Sequence, residues 1–218
     1  MSKICVLVDC FHPDGSSVTN DSAYGNAVNT VANKLIQLGV PLSMVSHRYA
    51  TVSYIRLVLT SFFRKGAELV LSDYYGSKPM AGFDLAMQKK MFAEALAALK
   101  KCYVCGEAQP VITSYVHQLA TNADTLEAIK SLGCINKVSV VNDDIDYAPV
   151  SVSDAAFTDY MAFFSELKSA VDSGADLVIR FSSKSVYYSS KSLMLDALVA
   201  FVIYARSCGA EFVQYRDF

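Results

Sequence analysis

Acidic side chains recur at one kind of place in this sequence, just after short apolar runs with strand character. Asp9 follows residues 4–8, Asp73 follows 68–72, Glu107 follows 102–105, and Asp143 and Asp144 follow 137–141. His12 stands three positions beyond Asp9, and His47 and Arg48 follow a run over 41–46. Carboxylates gathered at short range repel one another unless they share a proton or hold a cation. Hard divalent cations prefer carboxylate oxygens, so the pattern points to Mg²⁺ or Mn²⁺ held by Asp9, Asp73, Glu107 and Asp144. Such an ion would activate water for hydrolysis, with Asp9, Asp73, Glu107 and His12 as the catalytic set. Asp and Asn at strand ends also form turns and cap helices, and that plainer reading stays open.

Groups suited to holding a substrate lie along the same edge. The polar loop 11–21 carries Ser16 and Ser17 ahead of a helical pattern. Loops of this kind offer amides and hydroxyls to a phosphate or a flavin phosphate. Asn142 and Tyr74 would complete a site for a nucleotide-like or phosphate-bearing ligand. The loop matches neither GxGxxG nor GxxxxGK[ST], which withdraws the dinucleotide and P-loop readings. Cys102 and Cys105 have CxxC spacing, but on a strand they would face opposite sides, so core cysteines are expected. His12, His47 and His117 have no nucleophile near them in sequence, and neither GxSxG nor HExxH occurs.

Positioning such groups requires parallel strands that all end on one side. Strand-like runs cover 4–8, 41–46, 68–72, 102–105, 137–141, 176–181 and 211–215. Helical patterns cover 23–38, 52–64, 83–100, 116–132, 154–171 and 192–207. That alternation is the βαβ rhythm, and near-continuous apolar strands such as ICVLV imply burial on both faces. The expectation is one α/β domain over 1–218, a three-layer α/β/α sandwich. Its sheet would be mostly parallel, six- or seven-stranded and of doubly wound type. Ligands in such sheets bind at the strand carboxyl ends, where residues after strand six add Arg180 and Ser182 to the candidates.

The composition agrees with a packed globule. Hydrophobic residues make up 53% and charged residues 18%, which excludes disorder and points to surface covered in a homo-oligomer. Thirteen tyrosines with no tryptophan suit subunit contacts. A net charge of −2 gives no electrostatic case for a nucleic-acid coat, and Arg48, Arg56, Arg64 and Lys65 read as a solvated helix face. The apolar run 193–205 is interrupted by Asp196 and falls short of the ~20 residues a bilayer needs. No secretory signal pattern is visible at the start and the six cysteines are scattered, so a cytoplasmic protein without a disulfide framework is expected.

Short motifs are similar to those of four α/β families. Asp9, the stretch from Lys65-Gly66 through Asp73, and Cys105-Gly106-Glu107 resemble NYN/PIN-type metal-dependent ribonucleases. Gln109 stands where that family places a second acid after Glu107. Asp9 with Gly39-Val40-Pro41 to His47 resembles isochorismatase-like cysteine hydrolases, with no cysteine near Thr121, the expected nucleophile position, and no lysine at Asp73. The loop 13–20 with Asp73-Tyr-Tyr-Gly-Ser-Lys-Pro79 is similar to flavodoxin-like FMN reductases, a resemblance that implies FMN. Residues 138–149, with Asn142 and Asp146, resemble part of a GT-B glycosyltransferase, whose second domain this length does not accommodate. All four share the α/β skeleton, and no family is assigned. The residues therefore favour a metal-dependent hydrolase. The alternatives are a catalytically silent assembly protein with an enzyme-like fold and a flavodoxin-like FMN-binding protein.

Overall fold

The computed structural model describes residues 2–10, 22–46, 53–72, 79–117, 121–139, 150–188 and 192–218. In chain order the elements are β1 (Lys3–Asp9), α1 (Ser22–Gln37), β2 (Leu42–Ser46), α2 (Ser53–Arg64), β3 (Glu68–Ser72) and α3 (Leu85–Leu99). There follow β4 (Ser114–Val116), α4 (Ala123–Lys130), β5 (Lys137–Ser139), β6 (Val150–Ser153), α5 (Tyr160–Asp172), β7 (Leu177–Phe181), α6 (Lys184–Tyr188), α7 (Leu193–Ser207) and β8 (Glu211–Val213). This is the expected α/β architecture, with a mostly parallel sheet flanked by helices. The chain divides into two compact units. The first comprises Met1–Asp9, Ala23–Ser43 and Asp144–Phe218, and the second comprises Cys10–Ser22 and Met44–Asp143.

In the first unit β1 runs parallel to β7, with Ile4 opposite Leu177 and Val8 opposite Phe181. β6 runs parallel to the other edge of β7, with Val150 opposite Leu177 and Ser153 opposite Arg180. β8 pairs in parallel with the start of β1, from Lys3 opposite Glu211 to Cys5 opposite Val213. Residues Ile4 to Val8 are wholly buried, as the unbroken apolar run requires for a strand covered on both faces. The helices supply that cover through one stripe each. Val28, Val31 and Leu35 of α1, Phe163 and Leu167 of α5, and Leu198, Phe201 and Val202 of α7 are completely buried. Each such side chain stabilises the fold by about 1.5–3 kcal/mol relative to exposure. Asp159 caps α5 and Ser192 caps α7, each accepting a backbone N–H of the first turn.

In the second unit β3 pairs in parallel with β4, and β4 with β5. Phe62, Phe92 and Tyr115 form its aromatic core, with Phe92 and Tyr115 edge to face at 5.6 Å. Asp84 caps α3, and Asn122 with Thr125 builds a reciprocal capping box on α4.

Several elements fall elsewhere than the sequence patterns place them. The run 102–105 is not a strand. The chain turns there, Gly106 adopts a left-handed φ of +91°, and Glu107 N–H donates to the Val104 carbonyl at 3.0 Å. The fourth strand forms twelve residues later, where Ser114 reaches Glu68 and Tyr115 reaches Phe92. The helix expected over 116–132 is confined to Ala123–Lys130, because Val116 belongs to β4. The helix expected from residue 154 begins at Tyr160. It is preceded by β6, which the sequence pattern missed, and by a 3₁₀ turn over Asp154–Ala156. Among the described residues no helix is long and apolar enough to cross a membrane.

Candidate functional site

The carboxyl ends of β1, β7 and β6 lie side by side in the first unit, and polar groups gather there. Leu7 is paired in register with Arg180. Side chains alternate along a strand, so Arg180 emerges on the face that Leu7 shares with Asp9. Its Nη2 donates to Asp9 Oδ1 at 3.2 Å, and the pair is nearly closed to solvent, with side-chain exposures of 15% and 7%. A carboxylate buried to that degree needs such a partner.

Asp154 follows β6 and is 4% exposed. Its Oδ1 accepts the Ser182 backbone N–H at 2.7 Å, and its Oδ2 accepts the Ser182 hydroxyl at 2.9 Å. Burial pushes the Asp154 carboxyl up to about 6; the Ser182 hydrogen bonds pull against that shift, and the Asp9 charge adds to it. Tyr24, buried on the first turn of α1, places its hydroxyl 3.0 Å from both the Asp9 and the Ser182 carbonyl oxygens. One phenolic proton is shared between these two acceptors, fastening the end of β1 to the segment after β7. Ser183 then enters the left-handed region, with φ at +59°, although it is not glycine. Its hydroxyl is buried with no hydrogen-bond partner among the described residues. A left-handed serine between a strand and a helix is the kind of local strain found at functional edges. The edge thus offers a guanidinium-neutralised carboxylate beside a second carboxyl group able to exchange a proton near neutral pH.

The structure brings Asp9, Arg180 and Ser182 together, and it adds Asp154 and Tyr24. Asp154 escaped the sequence pattern because it was assigned to a helix; the signal was the alternating run 150–153 directly before it. Glu107 lies elsewhere. It belongs to the second unit, in the turn ahead of β4 rather than beyond its carboxyl end, and Arg64 Nε meets its Oε1 at 3.0 Å on the surface. Its assignment to the carboxyl edge rested on a strand over 102–105 that does not form. Asp73, Tyr74, His12, Ser16, Ser17, Asn142, Asp143 and Asp144, together with His47, lie outside the described residues. Cys102 is buried as expected, with its thiol pushed up to about 12 by burial against a smaller lowering from Arg56; Cys105 is exposed rather than in the core. A thiol so resistant to ionisation is no redox nucleophile.

The described residues include only part of the expected metal-ligand set. Among the described residues no group of three or more His, Cys, Asp or Glu side chains could bind a metal. The two described members of the expected ligand set, Asp9 and Glu107, each face an arginine. Paired in this way, these two do not by themselves make a cation site, and Asp73 and Asp144 lie outside the described residues; no chemical step is derived through a metal.

No protein-family model matches the sequence, and no curated protein matches it significantly. Solved structures do. A probable polysaccharide deacetylase from Pseudomonas aeruginosa PAO1 aligns over 99% of this chain and 88% of its own, with a TM-score of 0.75 and 16% identity. A family 4 acetyl xylan esterase from Clostridium thermocellum, in complex with a cobalt ion, aligns over 99% and 89%, with a TM-score of 0.65 and 14% identity. The catalytic domain of a peptidoglycan N-acetylglucosamine deacetylase from Eubacterium rectale aligns over 98% and 88%, with a TM-score of 0.55 and 9% identity. At these identities the likeness is one of fold: the chain has the α/β architecture seen in polysaccharide deacetylases. These proteins belong to none of the four families that short motifs suggested, and they lend no support to a nucleotide, phosphate or FMN ligand.

Proposed function

We propose that this protein is a hydrolase that removes an acyl substituent from a polysaccharide, working at the carboxyl ends of β1, β6 and β7. The observation that carries the reading is the buried pairing of Asp9 with Arg180 beside Asp154 with Ser182 at three adjacent strand ends. The deacetylase architecture, matched over nearly the whole chain, supports the substrate class. Hydrolysis breaks the acyl C–O or C–N bond as water adds to the carbonyl carbon. The proton released by that water needs an acceptor, and it must then reach the departing sugar oxygen or nitrogen. Asp154, with its raised carboxyl, is the group suited to carry that proton, with Ser182 hydrogen-bonded to it. Arg180 keeps Asp9 neutralised beside it.

The test is acetate release from acetylated xylan and from N-acetylglucosamine oligomers, comparing the parent chain with Asp154→Asn. Activity in the parent that falls at least a hundredfold in the variant is expected. An inactive parent on both polymers, in a folded preparation, would overturn the reading.

A second reading, a catalytically silent assembly protein, is favoured by the apolar side chains that the first unit leaves exposed. Tyr160 and Met161 on α5, and Leu193 and Ile203 on α7, are all more than a third accessible. A subunit contact through these helices would cover them, and native mass spectrometry showing a homo-oligomer without acetate release would select it.

A further inference from the structure

We infer that Arg180 is the fixed cation of the first unit's carboxyl edge, compensating the Asp9 carboxylate directly, and that Asp9 is therefore not a metal ligand. The inference concerns the site of the proposed hydrolase but stands on geometry alone. Strand register fixes the relation, since Leu7 opposite Arg180 sends the guanidinium to the face on which Asp9 emerges two residues later. The contact is direct, Nη2 to Oδ1 at 3.2 Å, and both side chains are almost buried.

An arginine carries its charge at every pH a folded protein meets. A divalent ion drawn to Asp9 would lie within a few ångströms of that charge, in surroundings that screen it poorly. Among the described residues the neighbouring oxygens are already engaged while Arg180 is in place. Both oxygens of Asp154 accept from Ser182, and the Asp9 carbonyl accepts from Tyr24. Lysine in place of Arg180 would still supply charge, whereas methionine would keep the length of the side chain and remove it.

The experiment measures cobalt(II) bound by metal-stripped protein, by elemental analysis after gel filtration, in the parent, Asp9→Asn, Arg180→Met and the double variant. Parent and Asp9→Asn should retain the same amount of cobalt, whether none or an equivalent held by other residues. Arg180→Met should gain a cobalt-dependent rise in melting temperature that the double variant lacks. Stoichiometric cobalt in the parent whose affinity falls tenfold or more in Asp9→Asn would overturn the inference. Should Arg180→Met fail to fold, the parent and Asp9→Asn comparison still decides. Acetate release is a separate readout, so failure of the hydrolase reading leaves this result intact and the reverse also holds.

Discussion

Ser183 concentrates two costs that a structural residue would ordinarily shed. A left-handed backbone disfavours any side chain with a Cβ, by about 1–2 kcal/mol, and a buried hydroxyl without a partner costs about 1–3 kcal/mol more. Both apply at Ser183, between β7 and α6, where the hydroxyl has no partner among the described residues. Ser183→Gly would remove the strain and the orphaned hydroxyl together, at the expense of a more flexible unfolded chain. The expected outcome is a protein more stable by about 1 kcal/mol, read as a higher urea midpoint with an unchanged m-value. A lower midpoint would show that the hydroxyl is engaged in the folded protein. At this scale the sequence was only partly legible. Asp9, Arg180 and Ser182 could be flagged from strand ends alone, because an apolar run that stops at a charge marks an edge. The hydrogen bonds that make Asp154 and Tyr24 part of the same site depend on register, which no local pattern contains.

The elements that read correctly from the sequence are those with long, unambiguous periods. β1 and β3 are built on unbroken apolar runs and β7 on one interrupted only by Arg180, and α1, α3 and α7 each carry a full buried stripe. The two that misled are short. Residues 102–105 have good strand formers but follow α3 so closely that they complete its exit turn. Residues 150–153 follow Pro149 and an acidic stretch, so they read as loop. What fixes β4 in its observed place is tertiary. Ser114 Oγ donates to the buried Glu68 Oε1 at 2.5 Å, joining the starts of β4 and β3. Ser114→Ala would deprive a buried carboxyl group of that donor and should destabilise the protein by about 1–3 kcal/mol. Glu68→Gln in the same background should recover part of that loss, since it removes the charge but keeps the shape. Chemical denaturation of the parent and the two variants checks both statements.

The stability of the whole protein should carry the mark of the Asp154 carboxyl. Its ordinary value is 3.8, and in the fold it stands at about 6, burial being the main cause. Below about pH 4 the group is protonated whether the chain is folded or not, and it imposes no penalty. Between pH 4 and 6 the folded protein keeps the proton that the unfolded chain releases, so the unfolded state binds fewer protons and stability falls as pH rises. Above pH 6 the folded state must carry the buried charge, and the loss levels off. A shift of this size corresponds to about 3 kcal/mol across the window. Asn at this position mimics the protonated acid, accepting the Ser182 N–H and donating to its hydroxyl, and it has nothing to titrate. The unfolding free energy of the parent, measured against Asp154→Asn, should therefore drop by about 3 kcal/mol between pH 4 and 7, with its midpoint near 5. A difference that stays flat across those pH values would mean that the carboxyl is not held in the buried, Ser182-bonded position. The proton-carrying role at the strand ends would then lose its physical basis.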